Sequence, residues 1–138
     1  MSVPTQSPPT NTHGLRAALF EPQVVSLIGA SGNPNATAAR PLTYLRRWGY
    51  AGTVYPVNPH RETVLGEQAW PSVSALPQRP DHVFVMTPTD QALDAVAECA
   101  AIGVPVVTVL ASGFSEDGDA GAARTERLLS LLEGTGTR

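Results

Sequence analysis

Short apolar runs alternate with stretches of helical periodicity along most of the chain. The apolar runs are rich in Val, Ile and Leu and predict buried strands at Val24–Ala30, Thr53–Asn58, His82–Thr87 and Val104–Leu110. The stretches between them predict helices at Leu15–Phe20, Ala36–Trp48, Thr89–Ile102 and Ala120–Leu132. Strands that alternate with helices in this way favour an α/β fold. We expect a mainly parallel, doubly wound sheet with helices on both faces.

Two of the predicted helices and one connection carry more specific local signals. Leu42, Leu45 and Trp48 recur at helical spacing and predict the apolar side of their helix. Thr89 is predicted to be the N-cap of its helix, because a threonine hydroxyl can accept a hydrogen bond from a backbone N–H of the first turn. Leu65–Pro77 has turn signals and little periodicity. It therefore predicts a loop crossover with a single helical turn near Ser72–Leu76.

A turn of small residues, Gly29-Ala30-Ser31-Gly32, follows the first predicted strand and precedes a predicted helix. Small side chains allow backbone N–H groups to approach a phosphate closely. The N-terminus of the helix behind the turn carries a partial positive charge, which stabilises a nearby anion. The turn is therefore suited to an anion such as a pyrophosphate.

Ligands of parallel α/β sheets bind beyond the carboxyl ends of the strands, where the strand order switches. We call the four segments that follow the predicted strands rims one to four. Each rim consists largely of small, polar or turn-forming residues. Rim one is Gly29, Ala30, Ser31, Gly32, Asn33 and Pro34; rim two is Val57, Asn58, Pro59, His60 and Arg61; rim three is Thr87, Pro88 and Thr89; rim four is Ala111, Ser112, Gly113 and Phe114. Together they form the candidate ligand site.

Composition limits the size and the class of the protein. With 138 residues, 42% of them hydrophobic, the chain can bury one core, so we expect one Rossmann-like domain over residues 15–134. A tail rich in Pro, Ser, Thr and Asn is expected at residues 1–14, and a truncated C-terminal end at residues 135–138. The net charge of −3 disfavours a nucleic-acid surface. Neither a run of about 20 apolar residues nor a signal peptide is visible, so no membrane contact and a cytoplasmic location are expected.

Side chains typical of metal or nucleophilic chemistry do not form a convincing constellation in the sequence. Cys99 is the only cysteine, which predicts a buried structural thiol. The histidines are predicted to have surface or packing roles. Three acidic residues at spacing four predict a solvated helix face: Asp90, Asp94 and Glu98. No catalytic residue and no metal ligand is therefore predicted.

Four sequence segments occur in an order and at a spacing typical of one family. They are IGASGNP, RPLTYLRRWGYAGTVYPVNP, VLGEQAWPSVSALPQRPDHVFVMTP and VLASGFSEDG. From about Leu19 to Leu132, the chain resembles the CoA-binding domain of NDP-forming acyl-CoA synthetases, which are related to the alpha subunit of succinyl-CoA synthetase. The Gly-Ala-Ser turn alone is a weak signal, whereas YPVNP, VLGxxxxPSVxxLP and SGFxExG in this order are more specific.

The resemblance implies that the cofactor is coenzyme A and assigns roles to the rims. It assigns the pyrophosphate to Ser31, Gly32, Asn33 and Pro34, and the ribose phosphate to Asn58, Pro59 and Arg61. It implies that rim three, with Ala111 and Ser112, walls the adenine and the start of the pantetheine arm. The complete synthetases also need a phosphorylated histidine in a second domain and an ATP-binding module. This chain is therefore expected to be non-catalytic alone, with CoA or acyl-CoA and the remaining synthetase domains or subunits as partners.

One departure from the family pattern keeps two alternatives open. Ala36, Ala38 and Ala39 stand where relatives commonly carry a basic residue and two glycines, and loss of the cation weakens phosphate binding. The first alternative is an NAD(P)-type dinucleotide-binding regulatory domain. Here Arg61 in rim two disfavours NAD, whose ribose usually meets an acidic residue, but suits a phosphorylated ribose. The second alternative is a degenerate CoA-binding fold that is used for protein–protein interaction.

Overall fold

The computed structural model describes residues 12–138, which form four helices and six strands. The helices are α1 (Thr12–Phe20), α2 (Arg40–Arg47), α3 (Thr89–Ala101) and α4 (Gly118–Leu132). The strands are β1 (Val24–Ile28), β2 (Thr53–Val57), β3 (Thr63–Val64), β4 (Glu67–Gln68), β5 (His82–Val85) and β6 (Val106–Val109). Short 3₁₀ turns cover Thr37–Ala39, Val73–Ala75 and Ser115–Asp117.

The main sheet has the strand order β2-β1-β5-β6, and all its pairs are parallel. In this register Val25 lies opposite Val54 on one side and His82 on the other. From β1 the chain proceeds to one edge of the sheet at β2, then crosses to β5 and continues to the other edge. The strand order therefore switches between β1 and β5, as in other doubly wound sheets.

Both faces of the sheet are covered, and two clusters of buried side chains form the core. Because side chains alternate along a strand, Val25 and Leu27 pack on the face that holds Leu42 of α2. On the other face, Val83 and Val85 pack against buried side chains of α3, among them Ala92, Ala95 and Cys99. The predicted α/β, Rossmann-like fold with a parallel sheet and helices on both faces is confirmed.

The crossover from β2 to β5 contains a small hairpin that the sequence analysis missed. β3 and β4 pair in antiparallel fashion across a two-residue turn, Leu65-Gly66, in which both residues have positive φ angles of 48° and 85°. Such turns match the twist of a hairpin, so two-residue strands form here although no alternating pattern predicts them. The 3₁₀ turn at Val73–Ala75 lies where a single helical turn was predicted.

Two local predictions about side chains were wrong. Trp48 does not lie on the buried side of α2: the helix ends before it, and its side chain is 79% exposed. Thr89 is the first residue within α3 rather than its N-cap, a position that Pro88 occupies without a side-chain hydrogen bond. The Thr89 hydroxyl instead donates to the carbonyl oxygen of Ser112, at 2.5 Å.

The two ends of the described chain pack beside the sheet. The tail predicted at residues 1–14 falls mostly on residues 1–11, which lie outside the described range, and α1 begins at Thr12. At the other end Thr137 is buried. The Arg138 amide donates to the Pro105 carbonyl (3.0 Å), and the Arg138 carbonyl accepts from the Val107 amide (2.8 Å). Within residues 12–138, no helix is both long and apolar enough to cross a membrane.

Candidate functional site

Backbone hydrogen bonds hold neighbouring strand ends together at the carboxyl edge of the sheet. The Gly29 amide donates to the Val57 carbonyl (3.0 Å), and the Met86 amide donates to the Ile28 carbonyl (2.8 Å). The Leu110 amide donates to the carbonyl of Val85 (2.8 Å) at the next junction. The four rims therefore follow strand ends that lie side by side, in the order two, one, three, four, with the switch in strand order between rims one and three.

Rim one approaches rim three so closely that only glycine fits at position 29. Gly29 has a φ of +85°, a conformation that L side chains rarely adopt. A Cβ built there would lie 3.0 Å from Cγ2 of Thr87 and 3.1 Å from the carbonyl carbon of Met86. The chain must leave β1 as a sharp turn against the end of β5. This explains why β1 ends at Ile28, two residues before the predicted Ala30.

The polar side chains of rim one shape the turn itself. Oγ of Ser31 accepts from the Asn33 amide (3.1 Å), and Oδ1 of Asn33 accepts from the Asn35 amide (3.0 Å). The Asn33 carbonyl accepts from the Ala36 amide (3.0 Å) at the start of the 3₁₀ turn that leads into α2. Since these side chains are used locally, an anion at this turn would be bound mainly through backbone N–H groups.

Rim two lies across rim one and brings a cation to the turn. Nδ2 of Asn58 donates to the Ala30 carbonyl (3.1 Å), while its Oδ1 accepts from the His60 amide (2.9 Å). A Cβ built at Gly32 would lie only 2.7 Å from Nη1 of Arg61 and 3.0 Å from its Cζ. The guanidinium group therefore packs directly against the bare backbone of Gly32. Among the described residues, Arg61 has no acidic partner within ion-pair distance.

A groove of about 660 Å³, lined by polar and apolar groups in similar measure, opens beside Arg61, between rim two and the β3–β4 hairpin. An ion pair of 2.9 Å between Arg46 of α2 and Glu67 of β4 ties the hairpin to the domain. The groove is lined by Asn58, Pro59, His60, Arg61, Glu62, Thr63, Gln68, Ala69 and Pro71. Four of these residues belong to rim two, and three of the four, Asn58, Pro59 and Arg61, were predicted as ligand contacts. Those contributed by the hairpin were missed, although the two-residue Leu65-Gly66 turn is the signal that could have identified it.

Rims three and four lie outside this groove and contact each other. Pro88 caps α3, and the hydroxyl of Thr89 is bonded to Ser112 of rim four. The side chain of Ala111 packs, partly buried, against the core cluster on the α3 face. Gly113 is buried and adopts a φ of +101°. These residues form a joined wall beyond the switch point. On this wall the side chain of Ser112 is exposed and could contact a ligand, whereas the Thr89 hydroxyl is already hydrogen-bonded to the Ser112 carbonyl.

Two titratable side chains, Cys99 and His82, are buried away from the rims and serve packing. Burial raises the pKa of the Cys99 thiol to about 12, so the prediction of a buried structural cysteine is confirmed. His82 is buried, stacks on Phe84 and places Nε2 2.7 Å from Oγ1 of Thr108, which confirms a packing role. Burial lowers the pKa of this imidazole. Within the described part of the chain, no three His, Cys, Asp or Glu side chains converge to hold a metal ion.

The predicted acidic helix face is exposed at Asp90 and Asp94, while Glu98 at its end accepts a hydrogen bond from the Ser74 amide (2.9 Å). That bond ties α3 to the crossover. On this face, Asp90 and Asp94 are therefore exposed to solvent, and Glu98 makes the contact with the crossover.

Comparison with known proteins connects this site to one family. A family model described as "CoA binding domain" matches residues 23–138. The chain is 32% identical over 120 residues to acetate–CoA ligase [ADP-forming] II of Archaeoglobus fulgidus, covering 87% of this chain and 18% of that protein. It is 30% identical over 119 residues to the alpha subunit of acetate–CoA ligase [ADP-forming] II of Pyrococcus furiosus, covering 86% of this chain and 26% of the subunit.

A solved structure extends the similarity to the fold. The apo form of the dinucleotide forming acetyl-coenzyme A synthetase 1 of Candidatus Korarchaeum cryptofilum superposes with a TM-score of 0.82 at 31% identity. The match covers 88% of this chain and 26% of that one. The chain therefore spans well under a third of the relatives described here, over a region that contains all four rims.

Proposed function

Because this chain belongs to the CoA-binding domain family, we propose that the carboxyl edge of its sheet binds coenzyme A. In this proposal the pyrophosphate lies on the backbone of Ser31–Pro34, and the ribose phosphate lies at rim two beside Arg61. Rim three, together with Ala111 and Ser112, walls the adenine and the start of the pantetheine arm. The chain would act as the CoA-binding domain of an ADP-forming acyl-CoA synthetase and would need the other parts of that enzyme for ligation.

The contact between Arg61 and Gly32 is the observation that carries this proposal. A phosphate ligand needs close access to backbone N–H groups and a compensating positive charge. Because Gly32 has no side chain, the Arg61 guanidinium lies directly against the turn, and it has no acidic partner among the described residues. A planar guanidinium is well suited to phosphate oxygens, which it can bind with two parallel hydrogen bonds.

The size of the adjoining groove and the polar groups in its lining also support a phosphorylated nucleotide. Its volume of about 660 Å³ lies within the range typical of small-molecule sites. Arg61 stands on the boundary between the groove and the phosphate turn, so one side chain can reach both a ribose phosphate and the edge of the pyrophosphate. A hydrogen bond to a charged group contributes about 1.5–3 kcal/mol, which corresponds to roughly tenfold to a hundredfold in affinity.

Calorimetric titration of the purified chain with CoA and with dephospho-CoA tests the proposal. We expect Arg61→Ala to weaken CoA binding by about tenfold or more, and to weaken dephospho-CoA binding less, because the latter lacks the 3′-phosphate. Arg47→Ala is a matched control, since Arg47 is an exposed arginine on α2 that lies outside the rims and the groove. Equal losses for both ligands would assign Arg61 to the pyrophosphate. Absence of CoA binding to the unmodified chain would refute the proposal.

The same side chain keeps NADP as a second candidate ligand. Rim two supplies Arg61 where dinucleotide-binding sheets for NAD usually place an acidic residue, and an arginine accommodates a 2′-phosphate. Titration of the unmodified chain with NADP and NAD distinguishes the two candidates. Tighter binding of NADP than of CoA would favour the regulatory dinucleotide-binding domain.

A further inference from the structure

Three side chains from three different elements hold two consecutive peptide groups of rim four. Oγ1 of Thr89, at the start of α3, donates to the Ser112 carbonyl oxygen at 2.5 Å. Oε1 of Glu116, in the 3₁₀ turn, accepts from the Gly113 amide at 2.6 Å. The C=O and the N–H of the Ser112–Gly113 peptide are thus both held by side chains. Nη1 of Arg124, in α4, adds a third bond at 2.8 Å to the Gly113 carbonyl.

The geometry at Gly113 shows how closely these groups fit. Its φ of +101° is a conformation that glycine adopts readily and other residues rarely do. A Cβ there would lie 2.7 Å from Oγ1 of Thr89 and 3.4 Å from Nη1 of Arg124. The absence of a side chain at position 113 therefore allows Thr89 and Arg124 to reach the backbone together. We call Thr89, Glu116 and Arg124 the rim-four clamp.

The clamp joins rim four to rim three, to the 3₁₀ turn at Ser115–Asp117 and to α4. Thr89 belongs to rim three, whereas Ser112 and Gly113 belong to rim four, so the Thr89 bond sets the spacing between the two rims. Glu116 is exposed, and ordinary surface carboxylates remain solvated rather than bonded to a loop amide. Here backbone N–H groups, first its own and then those of Gly113 and Phe114, lower the pKa of Glu116, so the carboxylate stays ionised and the bond remains charge-assisted.

We propose that Glu116 is a positioning residue of the CoA site: with Thr89 it fixes the Ser112–Gly113 peptide, while Arg124 holds the carbonyl of the next peptide, so that Ala111 and Ser112 present a preorganised wall to the ligand. This inference rests on the proposed function. It gives the acidic position of the SGFSEDG motif a role that does not require contact with CoA. A rigid wall loses less conformational freedom when the ligand binds, which increases affinity.

The experiment combines CoA calorimetry with ¹H–¹⁵N NMR of the Gly113 amide. Glu116→Gln keeps the shape of the side chain but removes its charge. Because charge-assisted hydrogen bonds are about twice as strong as neutral ones, we expect a loss of CoA affinity of roughly threefold to tenfold. The Gly113 amide resonance should move upfield, and its pH titration should disappear. Glu126→Gln, which changes an exposed carboxylate of α4 outside the clamp, should alter neither readout.

A second pair of variants separates positioning from general stability. Thr89→Val removes the hydroxyl and should also weaken CoA binding, whereas Thr89→Ser retains the donor and should restore it. Asp117 lies next to Glu116 in the chain and within 3.8 Å of the Arg124 guanidinium, so the titration is assigned to Glu116 only if it survives in Asp117→Asn.

Normal CoA affinity in Glu116→Gln, with wild-type binding intact, would overturn this inference and leave the proposed function standing. Failure of the wild-type chain to bind CoA would overturn both.

Discussion

Substitution of Gly29 by alanine tests the close approach of rims one and three at the switch point. Gly29 has a φ of +85°, and Gly49, just after α2, has a similar φ of +72°. A Cβ at Gly49 would meet no atom within 4 Å, whereas one at Gly29 would meet Thr87 and Met86. The two alanine variants therefore share the backbone penalty and differ in crowding. Gly49→Ala is the matched control.

The expected magnitudes follow from these two contributions. A left-handed conformation costs a non-glycine residue about 1–2 kcal/mol, which is the full expected effect of Gly49→Ala. At Gly29 the new Cβ would lie 3.0 Å from Cγ2 of Thr87 and 3.1–3.2 Å from backbone atoms of Met86. Met86 donates to the Ile28 carbonyl, so its backbone cannot move away freely. Overpacking of this kind adds about 1–3 kcal/mol, so we expect Gly29→Ala to cost about 2–5 kcal/mol in total.

Urea denaturation followed by circular dichroism measures both free energies of unfolding. We expect similar m-values for both variants, because the surface exposed on unfolding does not change. CoA titration supplies the second readout: Gly29→Ala should lose affinity, whereas Gly49→Ala should keep it. If the free energy of unfolding falls by the same amount in both variants, a Cβ at position 29 is not crowded by Thr87 and Met86, and the reasoning is refuted. If Gly29→Ala binds CoA normally, rim one is not the phosphate turn of this protein.

Two further predictions concern Ala36 and His82. Ala36→Arg should tighten CoA binding by roughly tenfold, about 1.4 kcal/mol, because it adds a cation beside rim one. Unchanged affinity, together with normal CoA affinity in Gly29→Val, would favour the alternative of a degenerate, protein-binding module. Burial lowers the pKa of His82, so the folded state favours the neutral imidazole. Protonation at lower pH therefore favours the unfolded state, and the free energy of unfolding should decrease as the pH falls from about 7 towards 5. His82→Gln should flatten that dependence in urea titrations at several pH values, and an equally steep decrease in the variant would assign it to other groups.

The order of elements and the glycine-rich turn of rim one could be predicted from the sequence because their signals are local. Runs of β-branched residues such as Val24–Ile28 suit only buried strands, and their alternation with helical stretches favours a parallel sheet. Rim one could be found for the same reason, since a glycine-rich turn directly after a strand is a contiguous feature. The ends of the strands were less predictable. The backbone of Gly29, for instance, turns where its φ becomes positive, and the sequence alone does not show at which glycine this occurs.

The tertiary structure alone decided which side chains meet across the site. Asn58 and Ala30 are 28 positions apart, and Thr89 and Ser112 are 23 apart, yet each pair is hydrogen-bonded. The contact of Arg61 with Gly32 depends in the same way on the register of β1 and β2 and on how rim two lies across rim one. Local patterns determine the strands. The contacts of the Thr89 hydroxyl and the Arg61 guanidinium, by contrast, form only because the strand order places the carboxyl ends side by side. That is why Thr89 was predicted as a helix cap, whereas in the folded chain its hydroxyl joins two rims.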